Sequence, residues 1–282
     1  MRSYVQYGLL PVDSYVKQHA YKAIKNAKLV SAPFPHIYVE RVLPDNFYAE
    51  LLVKLPPDDD YNIYPPPYEQ RHFIQLSPSR TEKLTSAVSQ FWKDFEAWIH
   101  SQEFLEVLVE KFGKHLQVNY KYREKDLIKN SVSDECVRVS PRSLLVRDYQ
   151  NFALGPHTDS ESKFIVGAFY FPKDDSLRDF GTSIYTPKDL KLTSWSSPHM
   201  NHEDFNLVKT FENRPNTMLV FMKTDHSWHG VERKQHSNVG RDVLFWIPQI
   251  GSAAGAEIPL QLPKKWFCKP SLINRIAKKI SI

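Results

Sequence analysis

Long apolar runs punctuated by turn residues dominate the second half of the chain. Phe164-Ile165-Val166-Gly167-Ala168-Phe169-Tyr170-Phe171 is β-branched and aromatic, and is closed by Pro172 and Asp174-Asp175. Thr217-Met218-Leu219-Val220-Phe221-Met222 is a second such run, and Asp242-Val243-Leu244-Phe245-Trp246-Ile247, ended by Pro248, is a third. No helix-period pattern separates them, so they predict short strands of a barrel or sandwich. The first half has a different rhythm. Leu84, Val88, Phe91, Phe95, Trp98 and Ile99 recur at helical spacing and predict an amphipathic helix from Thr81 to His100. Phe104, Leu105, Leu108, Val109 and Phe112 continue the stripe on a second helix, and such an aromatic stripe is expected to pack on the outer face of a sheet. Asp45 to Lys54 predicts a short helix, started by Leu43-Pro44-Asp45 and stopped by Pro56-Pro57. The proline-rich stretch from Pro56 to Pro67 reads as a surface loop.

These patterns divide the chain into a support region (1–135), a β core (136–250) and a basic tail (251–282), expected to form one structural domain. The 282 residues can bury a sizeable core, and 41% hydrophobic with 24% charged residues is the balance of a globular protein. A net charge of +5 suits an anionic co-substrate. It does not point to nucleic acid, because no basic cluster is interleaved with aromatics. Cys136 and Cys268 form neither a disulfide framework nor a metal-site spacing. That usage, with no signal-peptide pattern and no long apolar run, gives a cytoplasmic expectation. In the tail, Ser271 can cap a helix with Leu272, Ile273, Ile276 and Ile280 on one side and Arg275, Lys278 and Lys279 elsewhere. Such a helix either docks on its own domain or makes weak contact with an anionic membrane surface.

The candidate chemistry lies in His157-Thr158-Asp159, answered far downstream by His229. Two imidazoles and one carboxylate cover one face of an octahedral Fe(II) and leave the opposite positions open. Residues i and i+2 of an extended segment point the same way, so His157 and Asp159 can share one ion if a second strand brings the other histidine. His226 competes with His229 for that place. Arg241 opens the third strand, where alternation sets it on one face with Val243, Phe245 and Ile247, and its guanidinium can hold a carboxylate. Arg233 competes for that role. Tyr170 ends the first strand and can donate to the same carboxylate. Arg147 shares a face with Tyr149 and Leu145; it is either a substrate-contact candidate, as is Trp228, or half of a structural salt bridge.

Taken together, several stretches resemble the Fe(II)- and 2-oxoglutarate-dependent dioxygenases, in particular their prolyl-4-hydroxylase-like branch. They are Arg147-Asp148-Tyr149, Gly155-Pro156-His157-Thr158-Asp159, Tyr170-Phe171, Asp179-Phe180-Gly181-Thr182, His226-Ser227-Trp228-His229-Gly230-Val231 and Arg241. The resemblance covers residues 138–250, and Pro33 to Glu40 with Leu43-Pro44-Asp45 looks like the lead-in strand and first helix of bacterial members. It implies a mainly β fold: a double-stranded β-helix, or jelly-roll, core of cupin-like type with N-terminal α-helices packed on one sheet. It implies iron on His157, Asp159 and His229, and O₂ and 2-oxoglutarate as co-substrates. The far carboxylate of 2-oxoglutarate would rest on Arg241 and Tyr170, and Tyr149 would line the pocket. The carboxylate of Asp159, where halogenating relatives carry a small residue, implies hydroxylation as the default outcome, with desaturation and ring closure left open. Two departures stand out: Phe180-Gly181 replaces a pair of glycines, and Val243 replaces a hydroxyl residue.

Two other classes remain consistent with the residues. One is a cupin-like metal enzyme that does not use 2-oxoglutarate, and the other is a non-catalytic jelly-roll module that binds glycans. The substrate expectation is a small molecule rather than a protein or peptide, since no stretch looks like a peptide-docking module. The insertion from Lys188 to Arg214, with Trp195, His199, His202 and Phe205, is either a lid over the site or a surface excursion.

Overall fold

The computed structural model describes residues 12–119, 136–234, 240–250 and 260–263. The basic tail helix and Cys268 fall outside the described residues. The support region begins with α1 (Ser14–Asn26), β1 (His36–Glu40), α2 (Asp45–Val53), β2 (Asn62–Ile63) and β3 (Arg71–Leu76). It continues with α3 (Pro78–Thr81), α4 (Ser86–Ile99) and α5 (Gln102–Asn119). The β core follows: β4 (Cys136–Ser140), β5 (Ser143–Asp148), β6 (Leu154–His157), β7 (Ile165–Tyr170), β8 (Thr182–Pro187) and β9 (Phe205–Phe211). Then come β10 (Thr217–Met222), β11 (His229–Val231), β12 (Arg241–Trp246), β13 (Gln249–Ile250) and β14 (Leu260–Pro263).

The pairing is nested. β8 pairs with β9, β7 with β10, β6 with β11 and β5 with β12, all antiparallel. The chain alternates between two sheets as it nests, so the ladder winds into a double-stranded β-helix. One sheet has the order β1-β10-β7-β12-β5-β3-β2 and the other β6-β11-β8-β9. The jelly-roll expectation therefore holds. The larger sheet is extended at both ends by strands of the support region.

The apolar runs are continuous because this sheet is covered on both faces. Its inner face carries Leu144, Val146, Val166, Ala168, Tyr170, Leu219, Phe221 and Val243 against the second sheet. Its outer face carries Leu145, Ile165, Phe169, Val220, Leu244 and Trp246, packed with the helices. The aromatic stripe docks there as expected. Phe95 and Phe104 meet the Phe169 ring, each at 6.2 Å, and Phe104 meets Trp246 edge-on at 5.2 Å. Trp246 Nε1 also donates to the Ile99 carbonyl at 2.7 Å, which ties the end of α4 to the sheet. Burial of each such ring stabilises the fold by about 1.5–3 kcal/mol.

Several elements depart from the sequence pattern, β2 among them, which forms inside the proline-rich stretch expected as a surface loop. α4 starts at Ser86 rather than Thr81, because Asp60 accepts from both the backbone N–H (3.0 Å) and the hydroxyl (3.2 Å) of Thr85 and sets a fresh helix start there. α1 was not foreseen, although Asp13 caps it by accepting from the Val16 N–H at 2.9 Å. No described helix is long and apolar enough to cross a membrane.

Gly181 marks a close approach of strands β8 and β9: a Cβ there would lie 1.6 Å from the Phe211 carbonyl oxygen. Gly181→Ala must therefore separate the two chains. We expect a loss of about 1–3 kcal/mol, as for other overpacked positions, read by urea denaturation.

Candidate metal centre

His157 ends β6 and His229 begins β11, and the two are direct cross-strand partners. Their rings lie 4.3 Å apart. Asp159 follows two residues beyond the end of β6. The donor atoms of His157, Asp159 and His229 all lie within 4.8 Å of one another, and all three residues are buried. Each imidazole is fixed from behind. His157 Nδ1 lies 3.0 Å from the Gly155 carbonyl and His229 Nδ1 lies 2.9 Å from the Ser227 carbonyl. With Nδ1–H donating to those carbonyls, Nε2 is the free donor on both rings, the arrangement that metal-ligating histidines adopt. His229 Nε2 stands 3.5 Å from Asp159 Oδ2.

Asp159 is divided in its duties. Its Oδ1 takes a short ion pair from Lys163, while its buried Oδ2 has no hydrogen-bond partner. A buried carboxylate oxygen without a donor is costly unless a cation faces it. Burial pushes this carboxyl up, but Lys163, His229 and His157 together overrule it and hold it below the usual carboxylate range. Burial is also the main cause that lowers His157 well below the ordinary imidazole value, with His229 adding to it. His229 is lowered too, by burial. The set at neutral pH is thus two neutral imidazoles and one carboxylate, which is the protonation state that a divalent ion requires. The residues present fit an Fe(II) ion.

The centre opens on a cavity of about 350 Å³. The insertion forms one wall of it, contributing Ser196, Ser197 and His199. Ser197 Oγ accepts from the Thr158 N–H at 2.8 Å, and the Met200 N–H donates to the Pro156 carbonyl at 2.9 Å. Gly155 permits this approach, since a Cβ there would lie 2.3 Å from the Met200 carbonyl oxygen. The His199 ring meets His157 edge-on at 4.5 Å and shares a short hydrogen bond with the Tyr68 hydroxyl. Of the other residues singled out in the insertion, Phe205 packs on Trp228, His202 lies 3.6 Å from Glu232, and Trp195 stacks beneath the Lys223 ammonium.

The remaining candidates lie off the cavity wall. Arg241 is fully buried and off the cavity wall. Its Nη2 donates to Asp148 at 2.6 Å, its Nη1 to the Phe180 and Gly181 carbonyls at 2.6 and 3.1 Å, and its Nε is buried without a partner. Tyr170 is buried behind the wall and donates to Thr182 Oγ1 at 2.7 Å; Thr182 itself lines the cavity. Arg147 and Tyr149 do share a face, but it is the outer one. Arg147 pairs there with Asp242 at 2.8 Å and Asp58 at 2.5 Å, and the Tyr149 hydroxyl donates to Asp58 at 2.9 Å. Neither reaches the cavity, because β5 turns Leu144, Val146 and Asp148 inward instead. Trp228 points away from His229 and packs on Phe205 and Tyr185. His226 sits on an exposed turn beside Asp225, so it does not compete with His229. Arg233 is exposed.

Sequence reasoning gave no site role to Arg71, Asp148, Lys163 or Tyr68, and named His199 only as part of the insertion. The alternation in Arg71-His72-Phe73-Ile74-Gln75-Leu76 was the available signal for β3.

No family model matches this chain, and no curated protein matches it. Among solved structures it is similar to the α-ketoglutarate-dependent carbocyclase SnoK from nogalamycin biosynthesis, at 11% identity over 86% of this chain and 87% of that one, with a TM-score of 0.45. It is similar to HygX from Streptomyces hygroscopicus with nickel and 2-oxoglutarate bound, at 10% identity over 82% and 94%, TM-score 0.44. A Pseudomonas putida prolyl-4-hydroxylase matches at 10% identity over 82% and 100%, TM-score 0.43. Likeness at this level carries no argument about reaction or substrate, which must come from the site.

Two expectations follow. Because burial holds both imidazoles below the ordinary imidazole range, Co(II) affinity measured by absorption titration should decline at a lower pH than for a pair of ordinary imidazoles. A decline centred on an ordinary imidazole value would refute the assigned environment. Asp148→Asn leaves two guanidinium groups without their shared counter-charge, and should cost about 3–5 kcal/mol in urea denaturation, as for other broken buried pairs.

Proposed function

We propose that this protein is an Fe(II)- and 2-oxoglutarate-dependent oxygenase that hydroxylates a small organic molecule. One observation carries the reading. His157 Nε2 and His229 Nε2, on cross-strand positions of a jelly roll, converge with the unpartnered Asp159 Oδ2 at the edge of a cavity. Such a set covers one face of an octahedral ion and leaves room opposite for co-substrate and O₂. Fe(II) with 2-oxoglutarate supplies the oxidising chemistry when bound: decarboxylation to succinate and CO₂, coupled to insertion of one oxygen atom into a substrate C–H bond.

The chain's own residues supply position and polarity. The Gly155 and Ser227 carbonyls orient the two rings, and Lys163 occupies Asp159 Oδ1 so that Oδ2 is the oxygen left for the ion. Phe152, Leu154, Phe221, Val231 and Phe245 give the cavity apolar walls that limit water around the centre. A cavity of about 350 Å³ falls in the range of small-molecule sites, which supports a small-molecule substrate over a peptide.

A second reading, a jelly-roll metal enzyme that does not use 2-oxoglutarate, is favoured by the placement of Arg241 away from the cavity wall. One assay separates the two. Protein loaded with Fe(II) under ascorbate is given 2-oxoglutarate and a panel of metabolites and peptides, and succinate is measured. We expect release that disappears in His157→Ala and Asp159→Ala and persists in His226→Ala. Metal binding with no succinate under any condition would transfer the site to the second reading.

A further inference from the structure

Arg71, Asp148 and Arg241 form a row across three neighbouring strands. Asp148 is the direct cross-strand partner of Arg71 on one side and of Arg241 on the other. Arg71 donates from Nε to Asp148 Oδ1 at 2.6 Å and from Nη2 to Oδ2 at 2.9 Å, and Arg241 Nη2 reaches the same Oδ2 at 2.6 Å. The Asp148 and Arg241 side chains have no exposure, and that of Arg71 has 11%. Two guanidinium charges therefore share one carboxylate in the interior, leaving one unit of positive charge without a partner.

That surplus can reach only one place. Arg241 is sealed by its bonds to Asp148 and two carbonyls, whereas Arg71 lines the cavity. After its two bonds to Asp148, Arg71 has Nη1 left over, with no hydrogen-bond partner among the described residues. Its guanidinium plane is held over the Phe152 ring at 4.2 Å and near the Phe245 ring at 5.5 Å. The only carboxylate on the described cavity wall is that of Asp159, which Lys163 already pairs. A rigid, partly desolvated guanidinium on the cavity wall, with a donor left over and surplus charge, is suited to a ligand carboxylate.

We infer that Arg71 is the carboxylate-binding residue of this cavity, with Asp148 and Arg241 holding it in place. The carboxylate comes from 2-oxoglutarate or from the primary substrate. Which of the two it is rests on the oxygenase reading, while the anion site itself does not.

The test begins with the full chain, metal-free, titrated with succinate by calorimetry. We expect wild type to bind and Arg71→Gln to bind at least about tenfold more weakly, the loss that removal of a charge-assisted hydrogen bond produces. Arg71→Lys keeps the charge without the fork and should fall between them; it also serves if the Gln variant does not fold, which thermal melting reports. A second arm titrates 2-oxoglutarate into Co(II)-loaded protein. Weakened 2-oxoglutarate binding in Arg71→Gln assigns the site to the co-substrate. Unchanged 2-oxoglutarate binding, with Arg71-dependent succinate binding on top of it, assigns the site to a carboxylate of the primary substrate. Succinate that fails to bind wild type, or that binds all variants alike, overturns the inference. Failure of the oxygenase reading alone looks different: succinate binding remains dependent on Arg71 while 2-oxoglutarate is not decarboxylated.

Discussion

The carboxylate of Asp148 is the constraint on which the rest of the site depends. It is buried without exposure and lies between guanidinium groups brought in by β3 and β12. Burial alone pushes this acid up, and Arg71 and Arg241 pull it back below the usual range, so it stays ionised. A buried ion group of this kind is seldom more stabilising than apolar packing of the same volume. Its effect is positional. It joins a strand of the support region to the core, and through Arg241 it grips the Phe180 and Gly181 carbonyls just before β8. Thus the turn that leads to Thr182, the cavity wall at Arg71 and the middle of the large sheet are set by a single side chain.

Much of the architecture was legible in the sequence. The run from Thr217 to Met222 is β10 to the residue, and the runs around Val166 and Leu244 are β7 and β12. The aromatic stripe of α4 and α5 packs where an apolar helix face must, on the outside of a sheet. The triad was legible because its chemistry admits few residue types and its spacing fits strands. What the letters could not supply was the choice of face. Alternation correctly sorted β5 into Leu145-Arg147-Tyr149 and Leu144-Val146-Asp148, yet only the docked helices decide which set looks inward. The resemblance therefore led to Tyr149, and alternation to Arg147, while the inward acid, Asp148, was given no role. In β12 the inward set was chosen correctly, but Arg241 had been expected at the cavity and instead spends its donors inside the protein.

The parts that distinguish this site come from segments with no periodic signal. Tyr68 directly follows the proline-rich stretch and His199 lies in the insertion, and the two meet beside His157. The insertion is held along the metal-bearing segment by backbone bonds at Pro156 and Thr158, which Gly155 makes room for. Here loops shape the space in front of the centre, and the sheets fix the donor atoms behind it.

The cross-strand pairing of His157 with His229 bears on how the chain reaches its fold. β7 to β10 lie between these residues in sequence, so β6 and β11 can meet only across a long closed loop. Contacts of such sequence separation form late and slowly, because the entropy of closure comes before any reward. The donor set is thus absent from partly nested chains and complete only when the inner strands are in register. An ion that binds there selects the finished ladder from the folding ensemble, and it stabilises by mass action the one topology that can hold it.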